Sequence, residues 1–177
     1  MPLYEVWHSY PLTEAQRADL AQRITVIHTT VFTVPAAFVH VRFANYAATE
    51  HYMGGKKRTG TINLVLGNVR PGPSRTHDLY ESLCRQIEAA WTTSVGDPAT
   101  QGGARARLAG AFILGTVTAS YEEGIMHPEA GQDVEWIREN LPKFQALADD
   151  GNELCRDMIA ELRTREDFKF VFENRSA

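Results

Sequence analysis

The sequence predicts an α+β fold in which a β-α-β unit occurs twice and the two units share one four-stranded sheet. In each unit a short β-prone segment is followed by an amphipathic helix and a second apolar strand, and the units are offset by about sixty residues. A further helical pattern begins at Asp133, outside the duplicated part. We therefore expect two helices on one face of the sheet and a C-terminal helical extension.

The first unit is predicted from residues 3 to 46. Residues 3–10 are short, aromatic and β-prone, which indicates a strand. Thr13 followed by Gln16 is typical of a capping box at a helix N-terminus. The helix then carries apolar residues at helical spacing: Leu20, Ile24, Ile27 and Val31. After Pro35 ends the helix, alternating apolar residues in 38–46 predict a half-buried strand.

The second unit follows a turn. Segment 51–61 contains two adjacent glycines and a basic run, which favours a hairpin over a phosphate loop. We predict a strand at 61–68, an amphipathic helix at 75–91, a polar, glycine-rich linker at 92–107 and a last strand at 108–118.

The remaining chain is predicted to be an addition to this duplicated part. Its apolar residues recur at helical spacing: Trp136, Ile137, Leu141, Phe144, Leu147, Leu154, Met158 and Leu162. It ends in a short apolar piece at 168–172. We expect residues 1–136 to form the domain and residues 137–177 a helical extension packed on it.

Composition excludes several classes of protein. The chain has 177 residues, is 44% hydrophobic and 23% charged, and has a net charge of −4, as expected of a folded domain that binds neither nucleic acid nor an anionic membrane. Its longest uncharged apolar stretch, 108–121, is shorter than a membrane span, and its start lacks a signal peptide pattern, so a cytoplasmic location is expected. Cys84 and Cys155 lack metal-ligand spacing and are interpreted as packed thiols, and we expect no metal and no cofactor.

No strong catalytic motif is present, so any chemistry must come from dispersed groups. Pro2 is one candidate, because removal of Met1 would leave a secondary amine that can transfer protons near neutral pH. His28 lies on the helix face that carries Leu20 and Ile24, where a packed core histidine is the simpler interpretation.

Two further groups are candidates. Arg70 and Arg75 flank a Pro-Gly-Pro-Ser turn before a helix, where two guanidinium groups are suited to hold a carboxylate, or are simply surface arginines. Glu122, followed by Glu123, precedes a glycine in a break between strand and extension, where a solvated turn is the alternative. His127 and the proline after it are either a lid element or without function.

Several segments together resemble a known family. They are Met1-Pro2-Leu3-Tyr4, Leu12-Thr13 opening a helix that runs to Ile24-Thr25-Val26-Ile27-His28, Tyr52-Met53-Gly54-Gly55, Gly67-Asn68-Val69-Arg70 with Arg75, and Glu122-Glu123-Gly124 leading to Pro128 and Glu135-Trp136. The sequence from residue 1 to about residue 136 resembles the cis-3-chloroacrylic acid dehalogenase branch of the tautomerase superfamily, including its fungal members with a longer tail.

This resemblance implies a cofactor-independent homotrimer acting on a small carboxylate-bearing keto-enol or α,β-unsaturated acid. It implies that Pro2 is the catalytic proline and His28 its partner, that Arg70 and Arg75 hold the substrate carboxylate, and that Glu122 activates water. Protonated Pro2 would act as an acid in water addition, whereas neutral Pro2 would act as a base in tautomerisation. Arginines and a protonated His28 would lower the pKa of Pro2, and Glu122 would raise it.

The sequence departs from the dehalogenase pattern at one place. The tyrosine that these enzymes contribute from a neighbouring subunit aligns with Phe112-Ile113-Leu114, where no hydroxyl is present. Two other functions therefore remain open. One is an isomerase or cyclase of specialised metabolism acting on a larger, apolar substrate, and the other is a non-catalytic binding module with the same fold.

Overall fold

The structure, a computed structural model, describes residues 2–58, 62–97, 99–100 and 103–172. The first β-α-β unit comprises β1 (Leu3–His8), α1 (Glu14–Phe32) and β2 (His40–Asn45). A hairpin of β3 (His51–Met53) and β4 (Lys56–Arg58) leads to the second unit, which comprises β5 (Asn63–Asn68), α2 (His77–Val95) and β6 (Gly110–Leu114). The predicted duplication is confirmed.

The four long strands form one sheet in the order β2-β1-β5-β6. Pairing is parallel within each unit and antiparallel between β1 and β5. Leu3 lies opposite His40 on one side and opposite Asn68 on the other. The first residues of β1 and β2 therefore lie at the same end of the sheet as the last residues of β5, and the candidate site lies at this end.

Both long helices pack on the sheet and against each other. One hydrophobic cluster joins inward residues of the central strands with residues of both helices, among them Tyr4, Val6, Val65, Leu20, Ile24, Leu83 and Ile87. Thr13 and Gln16 form the predicted capping box of α1, with the Gln16 amide donating to Oγ1 of Thr13 at 3.2 Å and Oε1 of Gln16 accepting from the Thr13 amide at 2.9 Å. The predicted arrangement of two helices on a four-stranded sheet is thus confirmed.

The C-terminal extension has its own hydrophobic cluster. After a small hairpin, β7 (Tyr121–Glu122) and β8 (Ile125–Met126), the chain forms α3 (Asp133–Asp149) and α4 (Glu153–Thr164) and ends in a 3-10 helix, Glu166–Phe172. The buried side chains of these elements pack around Phe38, which precedes β2. The Glu161 carboxylate accepts from the Ala36 amide at 2.9 Å, and Nη1 of Arg165 donates to the Val34 carbonyl at 2.8 Å. The extension therefore packs on the segment between α1 and β2.

Two boundaries in the second unit differ clearly from the sequence prediction. Helix α2 continues to Val95, into the predicted linker, because Trp91 and Val95 are buried in the core. Strand β6 is shorter than predicted because its partner β5 ends at Asn68. Parts of the predicted strand at 61–68, of the linker and of the extension's end lie outside the described residues, as does Met1.

Within the described part of the chain, no helix has the length and apolar character needed to cross a membrane.

Candidate active site

Pro2 lies buried at the start of the central strand β1. Its carbonyl accepts a hydrogen bond from the His40 amide at 3.1 Å, at the start of β2. Because Leu3 is opposite Asn68, Pro2 also lies beside the segment of chain that leads from β5 into Arg70. Pro2 therefore lies between His40, at the start of β2, and the segment that leads from β5 to Arg70.

His28 contacts the same strand from below the sheet. Its side chain is 2% exposed, and Nδ1 lies 2.8 Å from the hydroxyl of Tyr4 on β1. Burial, together with the positive charges of Arg75 and Arg70, lowers the pKa of His28 to about 3. His28 is therefore neutral at physiological pH, which differs from the protonated His28 considered from the sequence.

The Tyr4 hydroxyl is the hydrogen-bond partner of Nδ1 of His28. Burial raises the pKa of Tyr4 well above its usual range, so the phenol keeps its proton and can donate it to Nδ1. With Tyr4 as the donor, the neutral imidazole carries its own proton on Nε2. Gly67 makes room for this arrangement, because a Cβ at that position would lie 2.7 Å from Cε1 of Tyr4.

The two arginines are both buried, at the end of β5 and just before the Thr76 cap of α2. Nη1 of Arg75 donates to the Arg70 carbonyl at 2.6 Å, and its guanidinium carbon lies 4.1 Å from the centre of the Phe32 ring. Arg70 donates through Nη1 to the Pro128 carbonyl and forms an ion pair through Nη2 with Asp133 at the start of α3. Arg75 lies near His28, because the Phe32 ring that it covers has its centre 4.5 Å from that of the His28 ring.

Glu122 lies on the other side of Pro2, between two histidines. Its Oε1 is 2.8 Å from Nε2 of His40, the residue whose amide binds the Pro2 carbonyl. Its Oε2 is 3.4 Å from Nε2 of His127, across the β7–β8 hairpin. The solvated turn considered from the sequence is thus a hairpin with Glu122 only 17% exposed.

His127 is held in an aromatic enclosure. Its side chain is 1% exposed, and its ring centre lies 4.8 Å from that of Phe38 and 4.8 Å from that of Trp136. Within the described residues, both ring nitrogens of His127 and Oε2 of Glu122 lack a hydrogen-bond partner. Buried polar atoms without partners are rare, which makes this pair a candidate for contact with a substrate group.

The residues that the sequence did not identify are Tyr4, His40 and Asp133. Gly124 is a turn signal in the sequence, and a hairpin at this turn brings Glu122 close to His127. His40 reaches Glu122 only because β2 pairs with β1, and Asp133 reaches Arg70 across 63 positions of chain. No local pattern indicates either contact.

A cavity of about 380 Å³ lies beside Arg70 and His127, and Pro2, His28, Arg75 and Glu122 are not among its lining residues. It is lined by Arg70, the turn at 71–73, the segment 117–120, and residues 127–130, which include His127. Three other cavities, of about 510, 530 and 500 Å³, contain none of the predicted site residues. No group of three or more metal-ligating side chains occurs within the described ranges.

The arrangement is suited to proton transfer on an anionic substrate. The buried Pro2 lies among two arginines, a neutral imidazole and a carboxylate flanked by histidines. Such a set can hold an acid, stabilise an enolate and orient water.

Solved structures with a similar fold include a member of the cis-3-chloroacrylic acid dehalogenase family, with 20% identity over 88% of this chain and 99% of that chain and a TM-score of 0.62. Another is a probable enzyme from the thermophilic fungus Aspergillus fumigatus, with 23% identity, coverage of 79% and 94%, and a TM-score of 0.58. A third is a fused 4-OT asymmetric trimer, with 16% identity, coverage of 70% and 94%, and a TM-score of 0.53. At these identities the likeness shows the fold.

Family membership follows from the sequence itself. No curated protein matches the chain. A family described as "Putative oxalocrotonate tautomerase enzyme" matches residues 1–141, which is most of the chain. The protein therefore belongs to this tautomerase family.

Proposed function

We propose that the protein is a cofactor-independent enzyme that transfers protons through the amine of Pro2 on a small acid bearing a keto-enol or an α,β-unsaturated group. The observation that carries this proposal is the position of Pro2. It is buried at the end of the sheet where His40 with Glu122 lies on one side and Arg70 with Arg75 on the other.

In the tautomerase reaction, the neutral amine of Pro2 removes a proton from the carbon next to the substrate carbonyl. The electron pair moves onto the carbonyl oxygen, and the same nitrogen returns the proton to the product. The positive charge of Arg75 stabilises the enolate, and Nε2 of neutral His28 donates a hydrogen bond. The low pKa of His28 suits this role, because a neutral imidazole keeps a donor without adding charge.

In the water-addition reaction, Glu122 removes a proton from water while protonated Pro2 delivers one to the α-carbon. The positions of His40 and His127 on either side of Glu122 support this role, because they can orient its two oxygens. The two reactions differ in the protonation state of Pro2, and the arginines favour the neutral amine.

The second candidate function is an isomerase or cyclase that acts on a larger, less acidic substrate. One observation favours it: Phe112 and Leu114, where the dehalogenases place a tyrosine, expose their side chains on the edge strand β6. An apolar wall at this position suits an apolar substrate. The proposal includes a homotrimer, because fused 4-OT structures of the same fold are trimers. It also includes the cytoplasmic location expected from the sequence.

The first test is an intact mass of the protein from its natural host, followed by turnover assays. Loss of Met1 frees the amine. An enolised aryl 2-keto acid reports tautomerisation, and a cis-3-halogenated acrylic acid reports water addition. We expect P2A to lower kcat/KM on the responsive substrate by at least about 100-fold, the range of general acid–base catalysis. P11A, at an exposed proline beyond the other end of β1, is the matched control.

Arg75 is tested in the same assay. R75A should raise KM by about 10-fold or more, as expected for loss of a charge-assisted hydrogen bond. Exposed Arg85 provides the control R85A. Retained Met1 in the native protein would exclude the proline mechanism and leave the isomerase or the binding module as the better function. Full activity in P2A would also exclude the proline mechanism, and would leave an enzyme that works through other groups, such as His28 and Glu122.

A further inference from the structure

The ion pair between Arg70 and Asp133 is buried inside the candidate site. The two side chains are 7% and 3% exposed. Nη2 of Arg70 contacts Oδ1 of Asp133, and Nη1 donates to the Pro128 carbonyl. Both terminal nitrogens of Arg70 therefore already have acceptors from the chain, and one of those acceptors carries a full negative charge.

A substrate carboxylate that approaches Nη2 of Arg70 would meet the negative charge of the Asp133 carboxylate already bound there. Separating the pair would leave Asp133 buried without its counter-charge, which is strongly unfavourable. The segment before Asp133 also packs closely on the Arg70 turn, since a Cβ on Gly72 would lie 2.9 Å from Cβ of Ala130. The pair is therefore part of the fold.

Arg75 differs from Arg70 in this respect. Among the described residues its hydrogen bond is the one from Nη1 to the Arg70 carbonyl, and no carboxylate pairs with it. Nη2 and Nε of Arg75 make no hydrogen bond to any described residue. Oδ2 of Asp133, in contrast, is buried without a hydrogen-bond partner and adds negative charge beside Arg70.

We propose that Asp133 is a specificity-determining residue: by pairing with Arg70 it leaves Arg75 as the cation that binds substrate, so the site accepts one carboxylate and discriminates against a second. The inference rests on the proposed function for the location of the site. It assigns Arg70 a positioning role, through its carbonyl contact to Arg75, in place of direct binding.

The test compares acetate with malonate, which is a dianion at pH 7.5, in NMR titrations at constant ionic strength. The wild-type protein should bind malonate less than tenfold more tightly than acetate, because one cation is available. D133N frees Arg70 and should raise the malonate-to-acetate affinity ratio at least fivefold, which corresponds to about 1 kcal/mol. D150N, at the exposed end of α3, changes net charge equally and should leave the ratio unchanged.

Two results would overturn the inference. One is a wild-type preference for malonate of tenfold or more, which needs no variant and holds even where D133N fails to fold. The other is a folded D133N protein whose ratio rises less than fivefold. Both measurements are of binding alone, so absence of turnover would count against the proposed function and leave this inference standing.

Discussion

Lowering the pH should reduce the free energy of unfolding of the wild-type protein more than that of an H28Q variant. In the folded protein His28 is buried against Tyr4, and its pKa is lowered from the ordinary value of 6.5 to about 3. Between these values the unfolded chain binds one more proton at this position than the folded chain does. The stability contributed by neutral His28 is complete above pH 6.5 and is lost as the pH falls toward 3.

The magnitude follows from the two pKa values. A full proton difference corresponds to about 1.4 kcal/mol per pH unit. Integrated from pH 7.5 to pH 5.0, the titration of His28 alone removes about 2 kcal/mol from the free energy of unfolding. Most carboxyl groups titrate below the range from pH 7.5 to pH 5.0. The other histidines are present in both the wild type and H28Q.

Urea unfolding followed by tryptophan fluorescence at pH 7.5, 6.5, 5.5 and 5.0 measures this difference at one protomer concentration. The wild-type value should fall by about 2 kcal/mol more than the H28Q value across the series. H77Q, at an exposed histidine on α2, is the matched control and should follow the wild type. Parallel curves for wild type and H28Q would refute the argument that His28 is held neutral by burial.

Three other substitutions test separate parts of the structure. Y4F removes the hydroxyl bonded to His28 and should lower the free energy of unfolding by about 1 kcal/mol in urea; an unchanged midpoint would contradict that hydrogen bond's contribution. E122Q should lower water addition to a cis-unsaturated acid by about 100-fold or more and keto-enol exchange by less than about tenfold, and equal losses would contradict its role with water. F144A, in the buried cluster of the extension, should cost about 3–5 kcal/mol by thermal and urea unfolding, and a loss below about 1 kcal/mol would indicate that the extension is not tightly packed.

The architecture was predictable because local patterns carry it. Thr13 and Gln16 mark the start of α1, and alternating residues mark the strands, since burial of one face imposes a period of two or 3.6 on the sequence. The end of α2 was less predictable, because Val95 is kept helical by its packing in the core rather than by a local signal.

The candidate site was predictable in part. Pro2, His28, Arg70, Arg75 and Glu122 could be named from residue types and from the resemblance to a family. Their roles in binding and catalysis remain predictions. The partners Tyr4, His40 and Asp133 could not be named, because each comes from an element distant in the chain.

The sequence by itself determined the duplicated units, the proline at the start of the first strand and the arginines at the turn before α2. Tertiary structure decided the protonation state of His28 and the ion pairing of Arg70. His28 is neutral because folding removes it from water, and Arg70 is paired because α3 brings Asp133 to it across 63 positions. Charge and protonation depend on burial and on neighbours in space, and residue order specifies neither until the chain has folded.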